Sequence, residues 1–268
     1  MLAVLDSWGL GRADPLTYKA ASLQLVLEGA LVVAVLVVAL MGTQLSPHVY
    51  FERVEPAALL IVVIWIAGLW LIARAGRGLP WHEEGNPPDG QEVPRGTRLT
   101  KTDEEAQRRG VGTRRAATVF AGAAAVTLLG GVLLEQSGER IASHVGMTGV
   151  LFGATVLAAA TALPEVSTGL ASIRMGDYQL AVSDIFGGNA FLPVLFMFAA
   201  LLSGSAVLPA AHRTDIYLTA LGALLTVVYI YGLIFRPRRQ VIGRLGIDSV
   251  IVIALYALGI VGLVFVNR

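Results

Sequence analysis

Glu165 directly follows Pro164 inside the run LFGATVLAAATALPEVSTGLASI, which is otherwise apolar and long enough to cross a bilayer. An ionised side chain near the centre of a membrane helix costs about 2.5–3.5 kcal/mol even on lenient insertion scales. Proline offers no N–H to the carbonyl of Ala160, and its ring pushes that carbonyl aside. The freed carbonyl has to find a partner or line a polar cavity. Thr161 lies one turn before Glu165, and i, i+4 spacing in a continuous helix puts both side chains on one face. A carboxylate, a hydroxyl and a free carbonyl form the all-oxygen set that hard cations such as Ca²⁺ and Na⁺ take. A second carboxylate, Asp184, opens the next apolar run, SDIFGGNAFLPVLFMFAALL, with Asn189 beside its face. An amide in such a run needs partners. The expected metal-ligating residues are therefore Glu165, Asp184, Thr161, Asn189 and Ala160. Simpler roles compete with these. Glu165 could face a water-filled crevice at a proline kink, and Ser183-Asp184 could be an ordinary helix N-cap. Gly187 and Gly188 could serve helix packing alone.

The elements that must carry these residues are membrane spans. Of 268 residues, 55% are hydrophobic and 15% charged, against about 25% charged in soluble domains. Mean hydropathy is +0.70. The reading is an all-α polytopic membrane protein in a lipid bilayer. Seven stretches reach the roughly 20 apolar residues that a span needs: 21–42, 56–75, 116–136, 147–173, 184–205, 214–235 and 247–267. They divide the chain into two N-terminal spans (1–75), a flexible loop rich in Pro, Gly and charge (76–115), and five further spans (116–268). Sixteen of the 20 Lys and Arg fall on one side of this arrangement. That bias predicts a cytoplasmic N-terminus and loop and an outside C-terminus. The plasma (inner) membrane is the expected location. Residues 1–20 lack the pattern of a signal peptide.

Other residues carry weaker signals. Glu28 reads as a snorkelling or paired acid in the first span, and Glu135 as interfacial at the end of the third. His48, His82, His144 and His212 show no metal-site spacing. Trp65, Trp70 and Trp81 read as packing or interfacial residues, and the acids of the loop as a solvated surface. A net charge of +1 and no cysteine give no sign of nucleic-acid binding and exclude thiolate metal sites. No nucleotide-binding glycine loop, Ser/His/Asp set or HExxH motif is present, so no enzyme and no cofactor are expected.

At the two motif helices the sequence resembles the cation/Ca²⁺ exchanger superfamily, which includes the sodium/calcium exchangers. Each α-repeat of that family carries a G-T-S-x-P-E-type motif on one helix and G-S-N on the next, then Asn or Asp three residues on. Ala160-Thr161-Ala162-Leu163-Pro164-Glu165 matches the first at Thr161, Pro164 and Glu165. Gly187-Gly188-Asn189 matches the second at Gly187 and Asn189. The resemblance implies that Glu165 binds transported ions and that Thr161 contributes its backbone carbonyl. Ala162, Gly188 and Leu192 stand where the family has oxygen-bearing side chains, and Asp184 lies two turns before Leu192 on the same face. Fewer oxygens leave room for Ca²⁺ exchanged for H⁺ as well as for Na⁺.

The family fold has ten helices in two inverted halves. The seven spans here resemble helices 4–10, with Val54-Glu55-Pro56 leading into the second. The expectation is a cation antiporter present as a partial or split chain that lacks the first α-repeat. Its partner would be a first-half polypeptide or an upstream gene segment. A non-transporting membrane scaffold or regulatory subunit is the alternative.

Overall fold

The fold is described from a computed structural model that places residues 1–10, 14–46, 48, 54–76, 112–242 and 245–266. The predicted loop 76–115 lies outside these residues apart from Gly76 and residues 112–115. The undescribed part of that loop includes Trp81 and His82 from the readings above.

The elements in chain order are α1 (Leu2–Gly9), α2 (Leu16–Ala20), α3 (Leu23–Gly42), α4 (Pro56–Ala75) and α5 (Thr113–His144). A broken span follows: α6 (Gly149–Phe152), a wide π turn (Gly153–Leu157), α7 (Ala158–Thr161) and α8 (Leu163–Arg174). Then come α9 (Tyr178–Phe191), a tight 3-10 turn (Leu192–Val194), α10 (Leu195–Ser203), a second such turn (Leu208–Ala210) and α11 (Arg213–Phe235). A short antiparallel ribbon, β1 (Gln240–Ile242) and β2 (Leu245–Gly246), pairs Gln240 with Gly246 and leads into α12 (Ile247–Val266). Six described helices are long and apolar enough to cross a membrane, or seven if the broken pair is one span. This matches the seven predicted spans, and the protein is integral to a membrane.

The chain forms two compact units. The first joins Met1–Gly90 to Pro164–Arg268. Within it α3 lies centrally, packed on α4, α9 and α11, while α12 packs on α11. Lipid offers no hydrophobic drive between spans, so their contacts depend on small residues that let backbones approach. Gly42 of α3 is one: a Cβ there would stand 2.7 Å from the Cβ of Ala57 in α4. Gly29 faces α11, where a Cβ would stand 2.7 Å from Ile230 Cγ1. Leu221 of α11 fills the space over Gly259 of α12. Leu25, Val32 and Val35 of α3, Ile61 of α4, Ile185 and Phe186 of α9 and Leu233 of α11 belong to one core.

Residues 1–10 and 14–20, which hydropathy leaves outside the spans, contribute to this core. Leu5 and Leu16 are fully buried there. Glu55 is also buried, just before α4. Its carboxylate accepts hydrogen bonds from the backbone N–H of Val207 (3.0 Å) and Leu208 (3.3 Å), which open the turn before α11.

The second unit, Gln91–Leu163, contains α5, α6, the π turn and α7. The predicted third span ended at residue 136, but α5 runs on to His144. EQSGERIASH is polar yet helix-compatible, and Phe152 of α6 packs over Gly138, where a Cβ would stand 3.3 Å from Phe152 Cε1. Glu135 is consequently an exposed residue within the helix rather than at its end. The helix stops where Gly146 turns left-handed (φ +68°) and the Met147 N–H returns to the Ala142 carbonyl at 3.0 Å, a Schellman closure.

Candidate cation site

The span that carries the Pro-Glu pair is not continuous. α7 ends at Thr161, Ala162 forms a turn, and α8 starts at Leu163 with Pro164 in its first turn. The reason is local: a helix tolerates proline where the N–H needs no partner, which is its first turn. Continuity was the premise for placing Thr161 and Glu165 on one face, so the i, i+4 spacing no longer puts them there. Thr161 Oγ1 donates within its own helix, to the carbonyls of Leu157 (3.0 Å) and Ala158 (3.2 Å). Ala160 and Thr161 belong to the second unit. Glu165, Asp184 and Asn189 belong to the first.

In the first unit a tight turn brings α8 and α9 together. α8 ends with Gly176 left-handed (φ +80°) and the Asp177 N–H on the Ser172 carbonyl at 2.9 Å. Asp177 then caps α9, accepting from the Leu180 N–H at 2.9 Å. The cap is therefore Asp177 and not Asp184, and the fifth span starts six residues earlier than predicted. Asp184 lies in the second turn of α9, where Thr168 of α8 donates its hydroxyl to Asp184 Oδ2 at 2.6 Å. Thr168 is three residues past Glu165 and also reaches the Glu165 carbonyl oxygen, at 3.1 Å.

Glu165 is half-buried, and its Oε2 is shielded from solvent with no hydrogen-bond partner. A buried carboxylate oxygen without a donor is costly unless a ligand supplies positive charge. Glu28 of α3 has the same property at its own Oε2. Its carboxylate faces the side chains of Ser183 on α9 and Gln24, so an acid read as structural points at the residue beside Asp184. Asn189 is half-buried and lines two cavities against Gly222 and Thr226 of α11, of about 450 and 400 Å³.

The glycines of the second motif are not packing sites among the described residues. A Cβ on either Gly187 or Gly188 would meet nothing within 4 Å. Together with Asp184 and Leu192 they form an exposed face of α9, and Leu192 begins the tight turn where Pro193 interrupts the span. Both motif helices are thus interrupted close to their polar residues. Discontinuous helices of this kind supply ion ligands in transporters. Among the described residues no three His, Cys, Asp or Glu side chains are grouped to hold a metal. A cation here would depend on few carboxylates and on neutral oxygens.

The sequence reading missed Thr168 and took Ser183 only as part of a helix cap. Thr168 carried one available signal, a hydroxyl on the turn after Glu165.

Comparison with known proteins places these motifs in context. The family described as sodium/calcium exchanger protein matches residues 115–265, which hold both motifs. A protein of Alkalimonas amylolytica named as an antiporter, CaxA, is 40% identical over 67 residues, covering 25% of this chain and 21% of that protein. The inner membrane protein YrbG of Escherichia coli (strain K12) is 29% identical over 84 residues, covering 31% of this chain and 26% of that protein. The chain thus spans about a quarter or less of the length of these curated relatives. No solved structure matches.

Proposed function

The chain belongs to the sodium/calcium exchanger protein family, and on that premise we propose that it is a membrane cation antiporter. It exchanges Ca²⁺ for Na⁺ or H⁺. The observation that carries this reading is the donorless, buried Oε2 of Glu165 beside a broken helix. Glu165 binds the cation directly, and Asp184, oriented by Thr168, adds the second carboxylate. Asn189 of the same unit adds a neutral oxygen to the set. Ca²⁺ binds the deprotonated carboxylates from one side and leaves when Na⁺ or H⁺ competes on the other. The positive-charge bias supports an inner-membrane orientation with the N-terminus cytoplasmic and the C-terminus outside.

Inverted-repeat transporters place their ion site at the interface between two repeats. The exposed face of Asp184, Gly187, Gly188 and Leu192 supports an opposing half as partner, supplied by further chain or by a separate polypeptide. The test is Ca²⁺ flux in vesicles containing the protein with and without the neighbouring gene product. Glu165→Gln is expected to lower flux at least a hundredfold. Unchanged flux would remove Glu165 from the site.

A second reading, a non-transporting scaffold or regulatory subunit, draws on Ala162, Gly188 and Leu192, which supply no side-chain oxygens. Isothermal titration separates the two. A Ca²⁺-binding step that is lost in Glu165→Gln supports the antiporter, and a titration unchanged by that substitution supports the scaffold.

A further inference from the structure

The first unit contains another group of buried oxygens, sharing no residue with Glu165, Asp184 or Asn189. It lies where α1, α2 and β2 meet α11 and the start of α12. Asp6 of α1 is 2% exposed. Its Oδ1 accepts the Leu16 N–H at 2.7 Å and its Oδ2 the Gly246 N–H at 2.8 Å. A carboxylate has about four acceptor positions, so half of this one's capacity remains. Asp248, in the first turn of α12, is 3% exposed; the Thr17 hydroxyl and the Ser249 backbone N–H lie beside its carboxylate, but neither oxygen is met at full hydrogen-bond geometry. Its carboxylate lies in a cradle of two glycines. A Cβ at Gly232 would stand 2.6 Å from Oδ2, and one at Gly246 would stand 2.6 Å from Oδ1.

Two hydroxyls point into the same group. Thr17 of α2 stands beside the Asp248 carboxylate. Tyr229 of α11 lies beside the hydroxyl of Ser249 and is acted on by the charges of both Asp248 and Asp6. Both residues are more than nine-tenths buried, and neither hydroxyl completes a hydrogen bond. The charged neighbour of Asp248 is Asp6, of the same sign. Arg236, one turn beyond Gly232, is turned to Tyr18 instead, donating to its carbonyl at 3.4 Å and lying over its ring.

Unpaired buried polar atoms are uncommon in folded proteins, and each calls for a water or an ion. Among the described residues the charge acting on Asp248 is that of Asp6, and two such neighbouring carboxylates favour the ion, because water supplies no charge to offset their repulsion. The donors are all oxygen, which selects a hard cation, and two carboxylates balance a divalent one. We propose that Asp6, Thr17, Tyr229 and Asp248 form a second site, for a hard divalent cation such as Ca²⁺. The ion ties α1 and α2 to the α11–α12 corner. Leu2 and Ser7 of α1 also wall the larger cavity that holds Asn189, so occupancy fixes one side of that cavity.

The experiment uses the full chain in detergent with Glu165→Gln and Asp184→Asn together, which removes the first site. Tb³⁺ luminescence excited through the aromatic residues is measured and then competed with Ca²⁺. One Ca²⁺-displaceable ion per chain is expected. Adding Asp248→Asn weakens its affinity at least tenfold, and Tyr229→Phe lowers both sensitised emission and affinity. If Asp248→Asn does not fold, Thr17→Val against Thr17→Ser decides, with several-fold weaker binding expected in the valine variant alone. Absence of displaceable binding in the double variant overturns the proposal. So does binding that is indifferent to Asp248→Asn and Tyr229→Phe, or equal affinity in the two Thr17 variants.

Discussion

The hydrogen bond from Thr168 to Asp184 sets how one carboxylate of the candidate cation site is held. A hydrogen bond to a charged group contributes about 1.5–3 kcal/mol, and part of that becomes orientation of Asp184 toward an ion. Thr168→Val should therefore weaken the apparent Ca²⁺ affinity about tenfold, and Thr168→Ser should restore it, as read from the KM for Ca²⁺ flux. Residue types alone pointed to Glu165, Asp184 and Asn189, because an acid or amide in an apolar run has few other reasons to be there. Their partners were not legible. Whether Glu28 meets lipid or Ser183 depends on the rotation of α3 against α9, which one helix's pattern does not contain. Asp6 and Asp248 escaped notice for a different reason. An acid near a helix start is ordinary in sequence, and only burial makes these two exceptional.

At the scale of elements, the span positions followed from hydropathy, since 20 apolar residues have few alternatives to crossing a membrane. Their ends depended on short polar signals. YQLAVS reads as a connector before Asp184, yet Gly176 closes one helix and Asp177 caps the next, which moves the start of α9 back to Tyr178. The break at Ala162 was legible only in part, because Pro164 signals a disturbed helix without saying whether it kinks or restarts. Pro164→Ala restores the missing N–H and lets α7 and α8 join as one helix. The expected outcome is Ca²⁺ flux lowered at least tenfold with the thermal midpoint unchanged or raised. Full flux would show that the interruption is dispensable.

Over the whole first unit, glycines set how closely α3, α4, α11 and α12 approach. Gly29→Val would drive side-chain atoms into Ile230 and is expected to cost about 1–3 kcal/mol, as overpacking does. Thermal unfolding in detergent checks this. An equal substitution at exposed Gly188, where a Cβ meets open space, should leave the midpoint nearly unchanged. Composition and span count made the membrane fold legible at this scale. The inclusion of α1 and α2 in the core was not, because both are too short for periodicity to register.

Glu55 has a consequence for biogenesis. Its carboxylate is stabilised by the N–H groups of Val207 and Leu208, 152 and 153 residues further along the chain. Translation at ~5–20 residues per second separates the two by roughly 8–30 s. For that interval the second span has an acid at its head whose partners have not been synthesised. Until the turn before α11 emerges, that charge has to stay hydrated at the membrane surface. This gives the half-made protein a defined point at which its early and late helices become committed to one another.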